Sequence, residues 1–178
     1  MLKFNIDEIE IVTLPKMRVV FFKDFSRKPE MKTEKMLEKW LTRHGLELHK
    51  GGVRAFGFDC DEFPTNRPNG KHGYGRYVYI PEDISLNSKE KNIKVFDGGK
   101  YARLTIKDPF SGDFSYGWQK LIAWAAENGY KNKNVCKSTG RCNPCAGDCW
   151  NSTENEPDLE ELYEKDGIQY MNFYLPIE

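Results

Sequence analysis

Lys16-Met17-Arg18-Val19-Val20-Phe21-Phe22-Lys23-Asp24 and Lys100-Tyr101-Ala102-Arg103-Leu104-Thr105-Ile106-Lys107-Asp108 are two versions of one segment, 84 positions apart. Each is an apolar, strand-like run held between a lysine and a Lys-Asp pair. The same shift brings Trp40 onto Trp124 and Gly45 onto Gly129. Each copy also ends alike: Tyr77-Val78-Tyr79-Ile80-Pro81 answers Asn172-Phe173-Tyr174-Leu175-Pro176, now at a shift of 95. The second copy therefore carries about eleven extra residues, and the cysteine-rich stretch from Cys136 to Cys149 is the natural place for them. A repeat of this length predicts two similar supersecondary units, and the groove where such units meet is where a ligand binds.

Working outward, each unit reads as β-α-β-β. Residues 9–23 alternate loosely, with Leu14-Pro15-Lys16 as a bulge or strand break. Glu30 to His44 reads as a helix with Met36, Leu37, Trp40 and Leu41 on one face and Gly45 as its left-handed stop. Residues 53–59 and Tyr77 to Ile80 read as strands, separated by a loop from Pro64 to Gly75. In the second unit Ile93 to Ile106 reads as a strand. Tyr116 to Asn128 reads as a helix with Trp118, Leu121, Ile122 and Ala125 as its stripe. Leu159–Glu164 and Gln169–Leu175 read as strands joined by the hairpin signal Asp166-Gly167. The first unit spans about 9–82, the linker 83–92 and the second unit 93–178, with a cysteine-rich insert at 133–157. The fold class is α+β: a pseudo-twofold antiparallel sheet with a concave groove and two helices behind it.

The 178 residues fit one domain with a proper core. Lysine plus arginine and aspartate plus glutamate balance at 27 each, so the basic excess of a nucleic-acid binder is absent and direct nucleic-acid binding is not expected. The N-terminus has no signal-peptide segment and no run reaches membrane-spanning length, which predicts a cytoplasmic protein without a membrane partner. Aromatic residues make up 13% against 39% hydrophobic residues overall, so large rings carry much of the apolar surface.

The order, spacing and duplication of these elements, the apolar-Pro-Lys strand opening, the Glu-x-Tyr strand and the Tyr-Leu-Pro-Ile ending resemble the GyrI-like small-molecule-binding family. The same domain is the effector-binding part of regulators of the BmrR and Rob type. The resemblance covers about residues 9 to 177 and implies a groove for bulky, flat, often cationic xenobiotics, with a role in transcription regulation. Some members resemble hydrolases of strained, cyclopropane-bearing compounds. There are two departures. No helix-turn-helix precedes the units, which reads as a free-standing version, and the cysteine insert lies outside the general pattern.

Matching strand to strand sets Phe56-Gly57-Phe58 against Glu161-Leu162-Tyr163, so a phenylalanine in one unit becomes a carboxylate in the other. Alternation puts Leu159, Glu161 and Tyr163 on one face. If that face is the inner one, Glu161 is a carboxylate among rings, raised in pKa by burial and lowered again by a cationic ligand. The resemblance assigns the ligand-facing acid to Glu161, with Tyr163 beside it. The alternative is a register off by one, which leaves Glu161 at the solvent in an acidic strand with Glu160 and Glu164 on the other face. Candidate ring partners are Phe56, Phe58, Tyr77, Tyr79, Trp118, Tyr163 and Tyr170, able to stack on a flat cation. Each of these also reads as an ordinary core residue.

Cys136, Cys142, Cys145 and Cys149 have the number of thiols for a structural tetrahedral zinc, in an unusually compact spacing. An oxidised pair, a redox-responsive loop or idle thiols are the alternatives, and no cofactor is required by the rest of the chain. Cys60 reads as a buried small residue, and His44 as a cation at a helix C-terminus. Three functions follow. The first is a binder or sensor of aromatic, cationic small molecules. The second is a hydrolase with Glu161 as general base and Tyr163 or Tyr79 stabilising the oxyanion. The third is an interaction module that inhibits a regulatory protein partner such as gyrase.

Overall fold

A computed structural model describes residues 9–60, 68–86, 90–112, 114–133 and 157–178. The cysteine cluster Cys136, Cys142, Cys145 and Cys149 lies outside the described residues. In chain order the elements are β1 (Glu10–Leu14), β2 (Met17–Ser26), α1 (Pro29–His44), β3 (Arg54–Asp59), β4 (His72–Tyr79), β5 (Ile93–Phe96), β6 (Gly99–Lys107), α2 (Phe114–Glu127), β7 (Leu159–Lys165) and β8 (Ile168–Pro176). The eight strands make one antiparallel sheet in the order β1-β6-β8-β7-β3-β4-β2-β5, curled into a half-barrel.

That order is symmetric about the β7–β3 seam, and the registers repeat. Tyr79 sits opposite Arg54 on one side and Val19 on the other; Tyr174 sits opposite Leu159 and Arg103. The duplication is therefore structural to the residue, and the strand match of Phe56–Phe58 with Glu161–Tyr163 holds: Phe56 faces Tyr77 across the strands, and Glu161 faces Asn172. Each helix ends in the same way. Gly45 (φ 63°) and Gly129 (φ 77°) take the left-handed conformation, and the backbone N–H groups of Gly45, Leu46, Gly129 and Tyr130 close on carbonyls of the last turn.

β4 begins at His72, inside the stretch read from sequence as a loop from Pro64 to Gly75, and two further details depart from the sequence pattern. Each unit is β-β-α-β-β, because the 14–16 break and a second break at Asp97-Gly98 each divide a run in two. The first strands are exchanged: β1 pairs with β6 of the other unit, and β5 pairs with β2. Only Pro15 and Lys16 separate strands at opposite ends of the sheet, so its two edges must curl together there. Gly98 (φ 75°) makes the close crossing possible, since a Cβ at that position would run into the Leu14 carbonyl and the Pro15 backbone. The other departure is on α1. Its buried face is Pro29, Thr33, Leu37, Trp40 and Leu41, while Met36 is 39% exposed.

The sheet has two differently used faces. On one, α1 covers Val20, Phe22, Val53, Ala55, Val78 and Ile80, and α2 covers Ala102, Leu104, Ile106, Met171, Phe173 and Leu175. On the other, inner face, Val19, Phe56, Phe58, Tyr77, Tyr101, Leu159 and Tyr174 form a third core cluster with Leu14, Met17 and Phe96. Cys60 is buried in it.

Candidate functional site

The two helices do not meet over the β7–β3 seam. Between them lies a cavity of about 480 Å³ lined by Glu30 of α1, Asp59 of β3, Tyr74 of β4, Trp118 of α2, and Asp158 and Glu160 at the start of β7. Phe58 borders it, although its ring packs with Phe21 and Tyr77. Glu160 is the centre of this site. It pairs directly with Gly57 across the seam, the one register contact between β3 and β7 among the described residues. Gly57 is required here: a Cβ would overlap the hydroxyl of Tyr74. With no side chain at 57, the Tyr74 hydroxyl reaches across and donates to Glu160 Oε2 at 3.2 Å, while Trp118 Nε1–H donates to Glu160 Oε1 at 3.2 Å.

Both donors are neutral. Glu160 is half-buried as a residue, and burial of its carboxyl group, reinforced by the Asp59 charge, pushes its pKa up to about 7 against the pull of the Trp118 and Tyr74 hydrogen bonds and of Arg76. Tyr74 is held well above its usual value by burial and by Glu160. Around the rim, His72 Nε2 lies 2.6 Å from Glu30 Oε1, and Arg76 pairs with Glu34 at 2.5 Å while lying over the Tyr74 ring. The Glu160 carboxylate has no counterpart in the other half. In the repeat, Ala55 occupies the place of Glu160, covered by α1.

On the inner face a second polar cluster is closed on itself. Glu161 is 3% exposed and takes a bidentate pair from Arg54, Nε to Oε1 at 2.6 Å and a terminal nitrogen to Oε2 at 2.8 Å. The Tyr174 hydroxyl and Asn172 Nδ2 also donate to Oε2, at 2.7 and 3.1 Å. Burial would raise the Glu161 pKa, but these donors, Arg54 first, hold it below the usual carboxylate range. Tyr174 is pushed up to about 12 by burial and by Glu161.

The family described as "Integron-associated effector binding protein", Cass2, matches residues 10–177. The chain belongs to the Cass2 family. No match is found among curated proteins. Among solved structures, the regulator EcmrR in a DNA complex superimposes with a TM-score of 0.61 at 12% identity, over 96% of this chain and 57% of that one. The chain thus spans little more than half the length of that regulator. SAV2435 bound to tetraphenylphosphonium gives 0.50 at 13% identity over 97% and 94%, and a hydrolase from Listeria innocua 0.54 at 10% over 96% and 92%. At these identities the likenesses establish the fold. The family match bears out the GyrI-like resemblance, and the Cass2 chain carries an effector-binding domain.

In this Cass2 domain the residues singled out from sequence separate into two groups. Leu159, Glu161 and Tyr163 do share the inner face. Glu161, however, is neither at the solvent nor awaiting a partner, because Arg54 already supplies the charge. Phe56 and Phe58 are 1% exposed and Tyr77 3%, packed on one another and on Tyr174, Phe21 and Phe96. Tyr79 is half-buried against this cluster. Tyr163 stacks on Tyr170 at 5.4 Å beside His49. The tyrosine bonded to Glu161 is Tyr174 and not Tyr163 or Tyr79. Trp118 faces the helix side, in the cavity with Glu160. Glu160, Tyr74 and Arg54 carry the two clusters and were not singled out by pattern; Gly57 inside an otherwise apolar strand was the available signal of a close approach. His44 does stand at the C-terminus of α1, 3.4 Å from Glu90 and with its ring tilted against Trp40 at 4.4 Å between centroids. Among the described residues no group of three or more His, Cys, Asp or Glu side chains is placed to hold a metal, and no helix is long and apolar enough to cross a membrane.

Proposed function

We propose that the protein binds bulky aromatic cations in the cavity between α1 and α2, with Glu160 as the opposite charge and Trp118 as the stacking wall. The observation that carries this reading is Glu160 itself: a carboxylate in a roomy cavity, hydrogen-bonded only by neutral donors. Such a group is held at a cost in free energy until a positive charge arrives, and a delocalised cation supplies that charge with little desolvation cost of its own. Cation–π attraction to the indole adds to it. Asp59, Asp158 and Glu30 give the cavity the same electrostatic preference. Family membership supports an effector site, and the tetraphenylphosphonium bound to SAV2435, a protein of the same fold, motivates this ligand class.

The test is titration with tetraphenylphosphonium at pH 8, followed by indole fluorescence and by calorimetry. Wild type should bind and quench. Glu160→Gln should bind at least about tenfold more weakly, roughly 1.4 kcal/mol or more. Trp118→Phe should lose most of the ligand-dependent quenching. Equal affinity of wild type and Glu160→Gln would overturn the assignment. A hydrolytic centre at Glu161 has less support: its carboxylate is saturated by Arg54, Tyr174 and Asn172 and kept ionised below the range of an effective general base.

A further inference from the structure

We propose that Glu160 exchanges a proton for the ligand's charge, so that one site takes organic cations when the carboxyl is ionised and neutral ligands bearing a hydrogen-bond acceptor when it is protonated. This rests on the cation-site reading above and adds to it a second ligand class and a control by pH.

The geometry is that of a group with two usable states. Trp118 Nε1–H and the Tyr74 hydroxyl each occupy one carboxyl oxygen, so both oxygens are held by donors that carry no charge. Among the described residues no cation stands within ion-pair distance of Glu160, in contrast with Glu161 one residue later, where Arg54 binds both oxygens. Among the described residues, the groups facing Glu160 come from β3, β4, the start of β7 and both helices. Asp59 of β3 and Asp158 ahead of β7 are carboxylates, and Glu30 of α1 is a carboxylate already engaged by His72 of β4. Arg76 of β4 is committed to Glu34 and to the face of Tyr74. α2 contributes the uncharged Trp118. Asp59 opposes ionisation of Glu160, and Arg76, which favours it, is bonded to Glu34. Proton uptake by the empty site is the consequence, and the raised pKa agrees with it.

A tyrosine hydroxyl can reverse its role. When Glu160 ionises, Tyr74 donates to it; when Glu160 is protonated, its O–H becomes a donor available to Tyr74 or to a ligand oxygen in the cavity. Binding a permanent cation to the protonated site expels one proton to solvent. Binding a neutral acceptor to the same state expels none. The cavity, at about 480 Å³, has the size of an ordinary small-molecule site in either state.

The experiment compares tetraphenylphosphonium with triphenylphosphine oxide, which keeps three of the four aryl groups, carries no charge and presents a strong acceptor. Calorimetry at half-unit steps from pH 5.5 to 8.5, in pairs of buffers of different ionisation enthalpy, gives affinity and proton release together. Phosphonium affinity should rise by approaching tenfold per pH unit below about 7 and level off above it, with close to one proton released at the acid end. Phosphine oxide should bind most tightly at the acid end and weaken as pH rises. Glu160→Gln, which keeps a donor and an acceptor at that position, should make both profiles flat and abolish proton release. Phosphonium binding that is independent of pH, with no proton released, would overturn the exchange while leaving the cation site standing. Absence of phosphonium binding at any pH would remove the cation site and the exchange with it. Phosphine oxide affinity that does not fall with pH would overturn the second ligand class alone.

Discussion

Glu160 and Glu161 are consecutive carboxylates with opposite environments, and each makes its own prediction about pH. Glu160 has a folded-state pKa of about 7, above its unfolded value, so the folded protein holds this proton more tightly than the unfolded chain does. Its contribution is full below about pH 4.5 and is lost as pH rises through about 7. Free protein should lose roughly 3 kcal/mol of stability over that window, and Glu160→Gln should recover most of it, as read by urea denaturation at pH 5 and pH 8. Glu161 runs the other way. Its folded pKa is depressed, so its contribution is present above the unfolded value and is lost as pH falls through the folded one. Arg54→Met should leave Glu161 buried without its cation and cost about 3 kcal/mol at pH 7, more than at pH 4, where protonation relieves the stranded charge. A smaller loss at pH 7 than at pH 4 would mean that the pair is not the reason Glu161 stays ionised.

At the scale of the element, β3 shows why the rings on its inner face were ambiguous in the sequence. The alternation Arg54-Ala55-Phe56-Gly57-Phe58-Asp59 says that two phenylalanines share a face, and they do. It cannot say whether that face looks onto a ligand or onto other rings, because both surroundings call for the same residue types. In the structure they are core, so Phe56→Ala should cost about 3 to 5 kcal/mol in urea denaturation, with little change in phosphonium affinity per folded molecule. Trp118→Ala should weaken phosphonium binding more than Phe56→Ala does, since its indole nitrogen is bonded to Glu160 in the cavity. Gly57→Ala would displace the Tyr74 hydroxyl from Glu160. It should weaken phosphonium binding and raise the pH at which Glu160 titrates, because one hydrogen bond to the charged form is gone. On α1 the periodicity marks a helix, but Thr33 is inside and Met36 outside. They lie three residues apart, about 60° around the helix, and the position of β2 and β4 beneath decides which is covered.

Across the whole molecule, the exchange of β1 and β5 ties the units together. Each contributes an edge strand to the other, so neither half has a complete sheet alone. A single cooperative transition is expected in denaturant, with fluorescence and far-UV circular dichroism coincident. Gly98→Ala, strained at φ 75° and in collision with the 14–15 backbone, should destabilise both halves together. Separate transitions for the two units would contradict this arrangement.

The sequence by itself determined the duplication, the helices and most of the strands, because these follow from local patterning: an 84-residue echo, apolar spacing, a stop glycine after each helix and a turn-forming Asp-Gly. It also determined the family, and the equivalence of Phe56 with Glu161, since registers in a duplicated sheet are inherited by both copies. What only the tertiary structure decided is which side of the sheet is open. Helix placement leaves a cavity over the β7–β3 seam, and one peptide unit of alternation then sends Glu160 into it and Glu161 into the opposite face. Arg54 reaches Glu161 from 107 residues away. No local pattern encodes that contact, because it depends on which strands become neighbours when the two units close on each other.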